Sequence, residues 1–120
     1  MRYLCLGYVD PRALQSMTDD ERKALDRDCR AYTEALRSSR HFIHAEALQP
    51  VDRAVTIRLR DGKMSSTDGP FAETKEHLGG FILIDAADME EAMRIAAGAS
   101  AGKLSSIEVR AIRDIRDADA

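Results

Sequence analysis

The sequence predicts an α+β fold, on three observations. Two segments, RYLCLGYV at 2–9 and GGFILIDA at 79–86, are apolar on both alternating sets of positions, as strands covered on two faces are. Two other stretches open with capping-box spacing and continue as apolar stripes at helical period. Asp61-Gly62 stands after a cleanly alternating segment, where a two-residue hairpin turn belongs.

The first strand carries Tyr3, Cys5 and Val9 on one side and Leu4, Leu6 and Tyr8 on the other. Thr18-Asp19-Asp20-Glu21 places a Thr N-cap three residues before a Glu, and Leu25, Cys29, Tyr32 and Leu36 follow at steps of four, three and four, which predicts a helix over 19–38. HFIHAEAL at 41–48 reads as a strand ending at Gln49-Pro50. AVTIRLR at 54–60 alternates, so Val55, Ile57 and Leu59 are expected to face the core and Thr56, Arg58 and Arg60 to face away. Asp and Gly tolerate the positive φ of a type I′ turn, and the chain is expected to double back through KMSST.

In the 79–86 strand Phe81 and Leu83 point one way, Ile82 and Ile84 the other. Asp88 and Glu91 repeat the capping spacing, and Met89, Ala92, Met93, Ala96 and Ala97 form a stripe that stops near Gly98. SSIEVRAI at 105–112 is the last strand. The order is βαββαβ with an added hairpin, a ferredoxin-like arrangement in one domain over 1–113, followed by a frayed polar tail at 114–120. Two helices cover one face of such a sheet, yet both central strands are apolar on both faces. A second copy of the chain is the economical cover, giving a homodimer closed as a dimeric α/β barrel, with Leu4, Leu6, Ile82 or their alternates at the seam.

Composition sets limits on partners. The 120 residues carry a formal charge of −3, which gives no general attraction to phosphates, so no direct nucleic-acid binding is expected. No apolar stretch approaches a membrane span, the run YLCLGYV is too short for a signal peptide's core, and a cytoplasmic location is the expectation. Cys5 and Cys29 have no CxxC or Cys/His ligand spacing. His41 and His44 lie three apart on a strand and so point to opposite faces; no metal and no cofactor are expected.

The segment TDGPFAETKEHLGG at 67–80 departs from ordinary strand or helix composition. Asp68-Gly69-Pro70 is a turn former, Gly79-Gly80 admits close backbone approach, and four ionisable groups lie between. The segment is expected to run along the sheet edge with Phe71 in an apolar pocket. At least two of Asp68, Glu73 and Lys75 are expected to face a cleft. Proton transfer is the least demanding chemistry for such a pocket. Asp68 and His77 are the candidate catalytic groups, and Glu73, Lys75 and Phe71 the candidate ligand-binding ones. In the alternative, the motif is structural, with Asp68 capping local amides.

TDGPFAETKE resembles the signature of the DGPF (DGPFAETKE) proteins, a branch of the YCII-related superfamily. The likeness extends through MRYLCLGY, LQP, VTIRLRDGK, LGGFILIDAADMEEAMRIA and IEVRAI, nearly the whole chain. The resemblance implies a dimeric ferredoxin-like barrel in a bacterial protein of generally unassigned activity. That activity would be small-molecule binding or a lyase- or isomerase-like proton transfer near 68–77. It also implies relatives often encoded beside extracytoplasmic-function sigma factors, hence an alternative reading as a non-catalytic regulator. The wider group is associated with a His on the first helix paired with an Asp after the second. Residues 19–38 here contain no His, and GASAGKLSS contains no Asp.

Overall fold

A computed structural model describes residues 1–99 and 105–117. Its elements are β1 (Arg2–Val9), α1 (Pro11–Gln15), α2 (Asp19–Ser38), β2 (Phe42–Ala47), β3 (Val55–Arg60), β4 (Lys63–Asp68), β5 (His77–Asp85), α3 (Met89–Ala97) and β6 (Ser105–Ala111). Four strands form an antiparallel sheet in the order β2-β5-β1-β6, with β1 and β5 central. This is the ferredoxin-like order expected from the pattern.

The helix starts follow from their caps. The Thr18 hydroxyl accepts from the Glu21 amide at 3.1 Å while the Glu21 carboxylate accepts from the Thr18 amide at 3.0 Å, a reciprocal capping box. Asp88 caps α3 through the Glu91 amide at 2.9 Å. The short helix α1 was not anticipated, although Asp10 caps it and Pro11 occupies its first turn, a readable signal.

Helices α2 and α3 cover one face of the sheet. Tyr3, Cys5, Leu36, Ile84, Ala86, Ala92 and Ala96 form the buried cluster, with Tyr32, Phe42, Ile82, Ile95, Ile107 and Val109 packed against it. Ile82 therefore belongs to the helix side and not to the opposite face where a seam was expected. Register explains why: Cys5 pairs with Ile82, whereas Leu4 pairs with Leu83 and Leu6 with Phe81. The face away from the helices thus carries Leu4, Leu6, Phe81 and Leu83, flanked by Glu108 and Arg110 on β6 and by His44 and Glu46 on β2.

The expectation that Val55, Ile57 and Leu59 face the core is overturned: they are 59%, 61% and 72% exposed. Strands β3 and β4 pair only with each other, as a separate two-stranded sheet. The four-stranded sheet ends at β2 and β3 does not add to it, so the hairpin lies apart from that sheet. The turn itself is as expected, with Asp61 and Gly62 both at positive φ. In the tail, Asp114 pairs with Arg116 at 2.9 Å within a single local turn; residues 118–120 lie outside those described, as do residues 100–104 of the α3–β6 connection.

Candidate functional site

Among the described residues, two hollows bordering the sheet stand out. The first lies between α2 and the helix-facing side of the sheet. Gly7 is level with Ile107 on one side and Gly80 on the other, and Gly80 with Ala47; in the next row Cys5, Ile82 and Ala45 are aligned. Apart from the two isoleucines these side chains are small, so a trough crosses the strands. Helix α2 passes above it with Cys29, Tyr32 and Thr33, enclosing about 270 Å³.

The polar groups of this cavity are held by the chain itself. The Tyr32 hydroxyl donates to the Ile95 carbonyl, and the Thr33 hydroxyl donates to the Cys29 carbonyl at 3.0 Å. Burial pushes the Tyr32 phenol up to about 12 and raises the Cys5 thiol. The Cys29 thiol is raised too, by burial first and then by Asp26 and Asp28. All three stay protonated at neutral pH, which suits weakly polar binding and not nucleophilic attack.

Two glycines of the trough differ in kind. A Cβ on Gly80 would lie 2.8 Å from the Glu46 carbonyl oxygen, so the neighbouring backbone requires glycine there. A Cβ on Gly7 would meet only the Gly80 oxygen at 3.7 Å, an ordinary contact. Gly7 is not demanded by packing, and its missing side chain leaves the cavity open.

The second hollow is an open depression of about 590 Å³ where Tyr8, Thr74, Lys75, Glu76, Ser106 and Glu108 meet. The Tyr8 hydroxyl approaches Glu108 at 3.5 Å, Ser106 donates to Glu76 at 2.9 Å, and Arg110 also pairs with Glu108. Three separate elements bring two carboxylates, an ammonium and a phenol together.

Of the expected site residues, Lys75 alone lines either of these two hollows. Glu73 is exposed on the 69–76 segment, so one and not two of Asp68, Glu73 and Lys75 faces a cleft. Phe71 is 79% exposed, with the Arg58 guanidinium 5.6 Å from its ring centroid, and it plugs no apolar pocket. Because the hairpin projects from the body, the ring that follows it meets no core edge. Asp68 ends β4 opposite Val55, and its carboxylate has no hydrogen-bond partner among the described residues. The turn is held instead by the Gly69 amide on the Ala54 carbonyl at 2.7 Å and the Thr56 hydroxyl on the Gly69 carbonyl at 2.9 Å. Gly69 has φ +106°, where a side chain would be strained. His77 begins β5 opposite Val9, half-buried and lining neither hollow.

The expectations missed Tyr8, Glu108 and Ser106. Their signal was faint but present: each lies on the same sheet face as Leu6, at positions that the alternation of β1 and β6 assigns.

The model of the YCII-related domain matches residues 1–116. The chain belongs to this family. A relative from Rhizobium meliloti (strain 1021), itself uncharacterized, is 37% identical over 118 residues, covering 92% of this chain and 90% of the relative. Among solved structures, 5-chloro-2-hydroxyhydroquinone dehydrochlorinase from Burkholderia phenoliruptrix AC1100, in complex with 2,5-dihydroxybenzoquinone, aligns with TM-score 0.58 and 17% identity over 98% of each chain. At that identity the likeness is one of fold. This YCII-related protein has no histidine on α2; the helix presents a thiol, a phenol and a hydroxyl to the cavity beneath it.

Proposed function

We propose that this protein is a homodimer that binds a small, weakly polar organic molecule, the size of one substituted six-membered ring, in the cavity between α2 and the sheet. Gly7 carries the reading. Glycine in a strand interior costs about 0.5–1 kcal/mol relative to alanine, and here, just before the register shift at Gly7/Tyr8, a Cβ would come no nearer than 3.7 Å to the Gly80 oxygen. A volume of about 270 Å³ exceeds the 150 Å³ or so of an apolar cavity that takes benzene. The dehydrochlorinase of similar fold, which holds a dihydroxybenzoquinone, supports the same ligand class.

The test is a titration of the wild type and of Gly7→Val with hydroquinones and phenols, followed by ligand-observed NMR. Binding to the wild type that disappears in a folded Gly7→Val variant is the expected result; equal binding to both excludes the cavity.

The depression favours a second reading, proton transfer. Glu108 is held by Arg110 and lies next to the Tyr8 hydroxyl, and Lys75 is placed to stabilise an anion formed nearby. In this reading the roles first expected of Asp68 and His77 pass to Glu108 and Tyr8. Deuterium exchange at an acidic carbon of a bound ligand, lost in Glu108→Gln, is its signature. The regulatory reading rests on the family resemblance alone.

A further inference from the structure

Tyr32 and Thr33 are neighbours on α2, both line the cavity beneath it, and both have already committed their hydroxyl protons to the chain. The Tyr32 hydroxyl donates to the Ile95 carbonyl, which also accepts from the Gly98 amide at 3.1 Å. Ile95 lies in the last turn of α3, where carbonyls lack an intrahelical partner four residues on and carry the negative end of the helix dipole. Such a carbonyl is a strong acceptor and fixes the direction of the phenol's proton. Burial, which pushes the Tyr32 phenol up to about 12, keeps that proton in place at neutral pH. The ring is fixed as well: a Cβ on Gly98 would lie 3.2 Å from its Cε2, so glycine there makes room for it. The Thr33 hydroxyl donates back along its own helix to the Cys29 carbonyl at 3.0 Å.

A hydroxyl whose proton is spent in this way meets a ligand only as an acceptor, through its remaining lone pair. The rest of the lining does not reverse that sign. Cys5 and Cys29 carry thiols, which donate weakly, and Glu46 as a carboxylate accepts only. The floor is ladder backbone of β1, β5 and β2, whose amides lie in the plane of the sheet and leave Cα atoms and small side chains turned to the cavity. Among the described lining residues there is no Lys, Arg, His, Asn, Gln or Trp to donate a hydrogen bond.

We propose that Tyr32 and Thr33 make the cavity selective for a ring that carries a hydroxyl of its own, a phenol or a hydroquinone, over an aryl ether of the same size. The ligand's O–H donates to one of the two fixed acceptors. An ether brings a lone pair to meet a lone pair and leaves the acceptor unsatisfied in an apolar site. This rests on the cavity reading above and names the feature by which that site chooses its ligand.

The experiment is calorimetric titration with p-cresol and anisole, isomers that differ in whether the oxygen carries a proton. The proteins are the wild type, Tyr32→Phe, Thr33→Val and the double variant, with Gly7→Val to locate binding in the cavity. Both substitutions keep the shape of the side chain and remove only its acceptor. The expected result is that the wild type binds p-cresol about 10-fold more tightly than anisole, the worth of one hydrogen bond in an apolar site. In the double variant the ratio falls to about one, while anisole affinity stays within about twofold. A merely structural role of Tyr32 would weaken both ligands together and leave their ratio unchanged. The single variants carry the same test where the double variant does not fold. Equal affinity of the wild type for the two isomers overturns the selectivity and leaves the cavity standing, and a ratio that persists without the two hydroxyls overturns their part in it. Binding of neither isomer overturns the cavity reading, and this inference with it.

Discussion

Strands β1 and β3 share an apolar row at alternate positions, to which β1 adds a second on its other face, and they behave differently in the fold. Each places an apolar side chain at every second position, yet Tyr3 and Cys5 are 3% and 4% exposed while Ile57 and Leu59 are 61% and 72% exposed. The difference lies in neighbours. Strand β1 has partners on both edges and helices above it, whereas β3 has only β4. Periodicity says that a face is apolar; it does not say which surface covers it, or whether that surface belongs to the same chain.

The sharpest way to break this comparison is to remove equivalent bulk from each region. Ile84 on β5 is fully buried, so Ile84→Ala should cost about 2–5 kcal/mol of stability in a denaturant titration. Gly80→Ala comes next, at about 1–3 kcal/mol, because its Cβ would press on the Glu46 carbonyl of the adjacent strand. Gly7→Ala should move the other way. Thermal unfolding should show a gain of about 0.5–1 kcal/mol, with ligand affinity reduced.

A smaller effect separates the regions by pH. The burial that raises the Tyr32 phenol to about 12 means that the folded state keeps a proton which the unfolded chain releases near 10. The native state then binds more protons than the unfolded state between those values, so stability falls as pH rises from 10 to 12. Tyr32→Phe should flatten this part of the profile. The smallest change belongs to the hairpin: Asp68→Ala should alter stability by no more than about 0.5 kcal/mol, since its carboxylate caps nothing among the described residues. A melting temperature several degrees lower would show that Asp68 has a partner in the assembly.

The body of the fold was legible because local and global signals agreed there. Thr18 and Glu21 marked a helix start, and the doubly apolar runs at 2–9 and 79–86 marked the central strands. The placement of β3 was not, because an alternating strand is compatible with any apolar cover. The site was less legible still. Lys75 was found through its unusual neighbours in sequence, but Tyr8 and Glu108 are joined across the β1–β6 register, 100 residues apart. The cavity was invisible for a different reason: it is formed by what Gly7, Ala45 and Ala47 lack. Phe71 misled because an aromatic beside a proline turn looks like a plug, and nothing local reveals that the turn stands clear of the core.

Helix α2 is twenty residues long, yet only Leu36, near its end, is buried. Just beyond it the His41 amide donates to the Leu36 carbonyl and the Asp85 amide to the His41 carbonyl, tying that end to the central strand β5. The start of the helix is fastened by its own cap and by the Arg22 guanidinium, which donates to the Leu14 carbonyl at 3.2 Å, and not to the sheet. The helix is therefore clamped like a lever at one end, with Cys29 and Tyr32 between the clamp and the free end. Entry of a molecule into the trough is expected to lift the first turns of α2 while the sheet stays intact. Amide hydrogen exchange should record this as a gradient, fast along Asp20–Asp28 and slow along Thr33–Arg37, flattened when the cavity is filled.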